Sequence, residues 1–171
     1  YDKNGILNKN HKPSRGRARK KQLLKMSQQE IDAEKEALKS LNGFVDSFNR
    51  GDKDGILSNL HFPLYTHSDG KEPVVIKDAD DFWRGSSHQV DEMKRLEGWV
   101  ETTLDRSRVL DAAENTVQIQ IEISRRNSSG EAYGVARGIW IFTKINNEWA
   151  LKIRSMFQIS GEISYLAGQK V

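Results

Sequence analysis

Four side chains able to hold or move a proton fall within one short stretch: His61, Tyr65, His67 and Asp69. A histidine beside a carboxylate can act as a general base near neutral pH, because the acid orients the ring and supports its protonated form. A tyrosine phenol can donate to a developing oxyanion. On an extended strand Tyr65, His67 and Asp69 share one parity, so a single face can present all three as a catalytic set. Each also has a plainer reading: Tyr65 as core, His67 on a solvated hairpin, Asp69 as the turn residue before Gly70. His61 fits the end of a short helix, where a cation suits the dipole, or a ligand-binding position. His88 lies in Ser86-Ser87-His88-Gln89, which reads as a helix entry. His61 and His67 are not spaced to share one side of a helix, and no HxxxH or acidic triplet supports them. No metal and no cofactor are therefore expected.

A second group could recognise a ligand. Arg137 shares strand parity with Tyr133, Val135, Ile139 and Ile141; if that face lines a pocket, its planar fork can clamp a carboxylate or phosphate. Trp83, Trp99 and Trp140 are candidate pocket walls for a small apolar or aromatic molecule, and with Trp149 they equally serve as core. Glu122 and Arg154 fall on the parity opposite the apolar residues, which predicts an outer face for both.

The elements that must position these groups change period half-way along the chain. Ser27 and Glu30 form a capping box. Ile31, Leu38, Leu41, Val45 and Phe48 then mark one face of a helix over about 28–49, closed by Asn49-Arg50-Gly51-Asp52. A short helix over about 53–60 follows, then Pro63, then strands at Leu64–His67 and Val74–Ile76 around Ser68-Asp69-Gly70-Lys71. Asp78 caps a short helix carrying Phe82 and Trp83, and a second helical stretch is expected over about 87–96. From Trp99 to about Leu110 the chain reads as a strand. Val117, Ile119, Ile121 and Ile123 alternate with polar residues, as does the Trp149–Met156 stretch, and Ile139-Trp140-Ile141-Phe142 is apolar on both faces. The expected class is α+β: a curved antiparallel sheet wrapped around N-terminal helices.

This order of elements, with Phe48-Asn49-Arg50-Gly51-Asp52, the Ile56–Leu60 helix before His61-Phe62-Pro63, and the final Trp149–Ser155 strand, resembles the nuclear transport factor 2-like superfamily. Within it the chain is most similar to SnoaL-like proteins, through Phe62-Pro63, His67 and Gly70. The resemblance covers about residues 27–160. It implies a cone-shaped barrel with a deep pocket between sheet and helices, and a homodimer formed through the sheet. It does not imply one chemistry, since the fold hosts isomerases, dehydratases, cyclases and non-enzymes. The ketosteroid isomerase Tyr-to-Asp pair has no matching residues here.

Composition narrows the partners. The 171 residues contain no Cys, which excludes a disulfide framework and thiolate chemistry. No apolar run is long enough to span a bilayer and no apolar signal core is present, so a cytoplasmic protein without membrane contact is expected. Residues 1–25 hold nine basic side chains against one acid, whereas the remaining 146 residues hold 18 basic and 23 acidic groups. Residues 1–26 are accordingly expected to be a basic tail, disordered or non-native, and nucleic acid is expected to be met only through residues 9–25. Residues 27–160 form the domain and 161–171 a C-terminal extension. Two functions fit. One is a small-molecule-binding protein, with His67, Tyr65 and Asp69 performing acid–base chemistry if there is turnover. The other is a non-catalytic dimerisation or protein-interaction module.

Overall fold

The computed structural model describes residues 26–171, so the expected basic tail and its nucleic-acid contact lie outside the described residues. The first helix, α1 (Gln28–Arg50), opens on the expected capping box. The Ser27 amide donates to Glu30 Oε2 at 2.7 Å, and the Glu30 amide to Ser27 Oγ at 3.2 Å. It closes on Gly51, whose φ of 65° is the left-handed geometry that glycine adopts without a steric cost. Leu41, Phe44 and Val45 are buried with Ala33 and Ala37, while Ile31 stays exposed in the first turn. Helix α2 (Lys53–Ser58) is capped by Asp52, which accepts from the Gly55 amide at 3.0 Å.

Helix α3 (Ala79–Glu97) replaces the two helical stretches expected from the sequence. Asp78 caps it and Gly98 ends it, as capping chemistry dictates, but Gly85-Ser86-Ser87 does not interrupt it. The propensity loss of about 1 kcal/mol at a mid-helix glycine is outweighed by the packing of Phe82 and Met93 on the sheet side.

Six strands form one sheet: β1 (Leu60–Ser68), β2 (Val74–Ile76), β3 (Glu101–Ala113), β4 (Thr116–Arg126), β5 (Ala132–Ile145) and β6 (Glu148–Gly161), in the order β2-β1-β6-β5-β4-β3. All neighbours are antiparallel except β1 and β6, which run parallel. The sheet curves around the helices and does not close into a barrel. Bulges interrupt β3, the β4–β5 ladder and the β5–β6 ladder, and each bends its strand and adds local twist. A two-residue turn at Asn146-Asn147, both at positive φ, joins β5 to β6 in the geometry that matches strand twist.

The bulge in β6 decides what faces inward. Phe142 pairs with Leu151, but Ile141 pairs with Ile153, so one extra residue, Lys152, is accommodated between them. Beyond it the alternation changes phase: Arg154 and Met156 are buried, and Ile153, Ser155 and Phe157 are exposed. Arg154 therefore points to the interior and not to the outer face that strict alternation predicts.

Residues 161–171 pack onto this body. Ile163, Leu166 and Ala167 join the core, and β7 (Tyr165–Leu166) pairs with β8 (Gln169–Lys170) as a small separate hairpin. Gly134 on β5 makes room for Ile163, since a Cβ at that position would collide with the isoleucine side chain.

Candidate functional site

Between the sheet and the helices lies a cavity of about 80 Å³. Its apolar wall comes from Phe44, Val45 and Phe48 of α1, Phe82 and Met93 of α3, and Ile123, Trp140 and Met156 of the sheet. Trp140 meets Phe44 edge-on at 5.4 Å between ring centroids, and its indole N–H points at Met156 Sδ at 3.0 Å. The β7–β8 hairpin covers the cavity with Tyr165, Leu166, Ala167 and Gly168. That cover is tied down on several sides. Gln89 donates to the Gly168 carbonyl at 2.7 Å, Ser68 to Gln169 Oε1 at 2.6 Å, and Gln169 to the Glu72 carbonyl at 2.7 Å.

Two arginines reach this interior, and their surroundings differ. Arg125 is buried but compensated: its Nη1 lies 3.0 and 3.1 Å from the two oxygens of Glu97, and its Nη2 donates to the Tyr165 carbonyl. Glu97 also accepts from Tyr133 and from the Ser164 amide, both at 2.5 Å, and from the Ser164 hydroxyl. Burial pushes the Glu97 carboxyl up, but these donors and the Arg125 cation outweigh it, and its pKa falls below the ordinary value. Burial, and after it the same contact, raises the pKa of the Tyr133 phenol. The whole cluster fastens the C-terminal segment to the end of α3. Tyr165 adds a bond from its phenol to Glu92, which raises its pKa and lowers that of Glu92.

Arg154 has no such compensation. It is 7% exposed, and among the described residues its Nε finds no acceptor and no carboxylate lies at ion-pair distance. Burial alone lowers its pKa, to about 10. It remains a cation at neutral pH and lies beneath the hairpin turn: a Cβ on Gly168 would sit 2.9 Å from Arg154 Nη2. Its neighbour across the β1–β6 ladder, Thr66, is also buried, and the Thr66 hydroxyl likewise lacks a partner.

The residues singled out from the sequence divide between the two sides of the sheet. Tyr65 and His67 do share a face, but it is the outer one, because Leu64, Thr66 and Ser68 take the interior positions of β1. His67 Nδ1 lies 3.0 Å from Ser155 Oγ, Lys152 sits 5.8 Å from the Tyr65 ring centroid, and Asp69 is exposed in the turn. His61 belongs to β1 and not to the end of α2, which Asn59 caps. Its Nδ1 is 3.1 Å from Thr143 Oγ1, and burial, then Lys152, lowers its pKa. Arg137 stacks on Phe157 at 5.1 Å on the outer face, away from the cavity. Trp83 lies under Lys53 at 5.2 Å beside a separate depression. Trp99 is core, donating to Thr102 Oγ1 at 3.0 Å, and Trp140 alone of the ligand candidates lines the cavity. His88 sits within α3. Among the described residues no cluster of three or more His, Asp or Glu side chains is arranged to hold a metal ion.

Residues 34–157 match the family described as "NTF2-like protein (DUF6841)". The chain belongs to this NTF2-like family. The family's cone architecture accounts for the helix-covered curved sheet. An NTF2-like protein with a cystatin-like fold from Novosphingobium aromaticivorans superposes with a TM-score of 0.62 at 14% identity, over 77% of this chain and 85% of that one. A ketosteroid isomerase-like protein from Erwinia carotovora atroseptica gives 0.56 at 11% identity, over 74% and 95%. An NTF2-like protein from Cytophaga hutchinsonii gives 0.55 at 12%, over 78% and 100%. At these identities the likeness concerns the fold alone. No curated protein matches the chain.

Proposed function

We propose that this NTF2-like protein binds a small organic molecule in the cavity between α1, α3 and the sheet, without turning it over. The observation that carries the reading is the cavity itself: a mainly apolar wall with a few inward polar groups, closed by a pinned hairpin. Binding without turnover is supported by what lines it. Among the described residues the wall contains no Asp, Glu or His, the usual general bases, and its one phenol, Tyr165, is engaged with Glu92. His67 and Tyr65 stand on the opposite side of the sheet, so no catalytic step is placed on them. A cytoplasmic location, in keeping with a cysteine-free chain, is part of the same proposal.

Native mass spectrometry of the purified protein tests occupancy. The expected result is a co-purifying small molecule that disappears from Ser86→Phe, whose ring would fill the cavity. An unliganded wild type that also gains no thermal stability from a library of small organic compounds would end the proposal.

One observation favours a second property. Tyr65, Val75, Ile139, Ile153 and Phe157 are all exposed on the outer face of the sheet, a concentration of apolar side chains that suits self-association. A homodimer through this face should run at twice the monomer mass by light scattering, and Ile139→Glu should dissociate it. A wild type that is monomeric at high concentration would remove the dimer.

A further inference from the structure

A buried cation without a counter-ion is costly to maintain, because the desolvation of the guanidinium is repaid by nothing in the protein. Arg154 is such a cation, and it stands in a row with Thr66 on β1 and Trp140 on β5, its pairing partners on either side. Thr66 and Arg154 are therefore roughly 5 Å apart across adjacent strands, each with an unmet polar atom at the interior face. Of the two, Arg154 lines the cavity, beneath the Ala167–Gly168 turn and among the rings and thioethers of the wall. Resting on the reading that the cavity holds a small molecule, we infer that its ligand is a small monocarboxylate, whose anionic head is received by the Arg154 guanidinium and whose hydrocarbon tail packs against Phe44, Trp140 and Met156.

Charge and size select this class. A carboxylate matches the planar fork of a guanidinium and accepts two parallel N–H bonds. A phosphate dianion would bring a second negative charge that nothing neutralises, because Arg125, the other interior cation, is already paired with Glu97. A bare inorganic anion would leave the apolar wall without contacts. A dry cavity of about 150 Å³ accommodates benzene; this one, at about 80 Å³, suits a carboxylic acid with a short tail. The left-handed backbone of Ala167, at φ 50°, is strain held at the point where the cover meets the guanidinium.

The test uses the full chain with butyrate, its near-isosteric neutral counterpart 1-butanol, and inorganic phosphate as probes. Binding is followed by NMR shifts of the Trp140 indole N–H and the Arg154 Nε–H. Butyrate is expected to bind wild type roughly 10- to 100-fold more tightly than 1-butanol, the worth of charge-assisted hydrogen bonds, and to move the Arg154 Nε–H resonance. Arg154→Met should lose that advantage, and a cooperative melting transition shows that the variant is folded. Arg154→Lys, a point charge without the fork, should fall between. Equal affinity for butyrate and 1-butanol, tighter binding of phosphate than butyrate, or butyrate binding untouched in Arg154→Met would overturn the carboxylate inference and leave the cavity reading standing. Failure of butyrate to bind wild type would overturn the carboxylate inference too, whereas the cavity reading falls only on a wild type that is unliganded and gains no stability from the compound library.

Discussion

Replacing Arg154 by methionine should make the unliganded protein more stable. The substitution keeps most of the side-chain stem against Trp140 and Met156 and removes only the charged head. Burial holds the Arg154 pKa at about 10 against an ordinary 12.5, and such a depression corresponds to roughly 3 kcal/mol of unfavourable desolvation. The freed head also gives up a buried N–H without an acceptor. For a domain of this size the release translates into a rise in Tm of up to ~10 °C, reduced by whatever stem contacts methionine fails to reproduce. Thermal unfolding followed by far-UV circular dichroism at neutral pH, wild type beside Arg154→Met, reads the difference directly. A variant that melts lower than wild type by the equivalent of more than about 1 kcal/mol would refute the reasoning, because it would mean that the guanidinium is compensated in the folded state. The gain in stability would accompany a loss of recognition, the usual trade at a binding site.

Other perturbations separate the remaining parts of the structure. Glu97→Gln should cost about 3 kcal/mol or more, because it strands the buried Arg125 cation; the shift in urea midpoint checks this, and amide exchange should rise over residues 161–171. The folded Glu97 pKa lies below the ordinary value, so its contribution is present above the unfolded pKa and is lost as pH falls through the folded one; Glu97→Gln should flatten the acid limb of a stability–pH curve. His61 has its pKa lowered from 6.5 in the folded state. Its neutral form is favoured there, so stability declines as pH drops below about 6.5 towards the folded pKa, and His61→Gln should remove that decline in urea titrations at pH 7.5 and 5. Ala167→Gly should raise stability by a few tenths to about 1 kcal/mol, since the left-handed backbone at this turn suits glycine better than alanine; a lower urea midpoint would show that the alanine methyl matters more to core packing than the strain it carries.

Much of the architecture was legible because local chemistry and global packing agree. Ser27-x-x-Glu30, Gly51 and Asp78 stand where backbone groups need partners, and the alternation of Val117, Ile119 and Ile121 matches a strand with one buried face. The two helical stretches expected around Gly85 fused because tertiary packing outweighs a weak local breaker. The site was less legible, for a specific reason. Period-two reasoning assumes unbroken alternation, and the extra residue at Lys152 reverses it, so the strand carries Ile153 outward and Arg154 inward. Nothing in Ala150-Leu151-Lys152-Ile153-Arg154 announces a bulge. A faint signal was available in Met156, an apolar residue two positions after Arg154, which shares its face once the phase is reset. For Tyr65 and His67 the shared parity was readable, whereas the side of the sheet was not, because Thr66 and Ser68 are polar residues that nonetheless occupy the interior.

The stretch that matches the family ends at residue 157, yet Tyr165, Leu166, Ala167 and Gly168 close the cavity from beyond it. The vessel is thus built from the matched stretch, and the stopper comes from a segment beyond it that is anchored in the same core by Ile163, Leu166 and Ala167. A boundary drawn at the end of the final long strand would therefore uncork the cavity and at the same time bare the core surface on which Ile163, Leu166 and Ala167 rest.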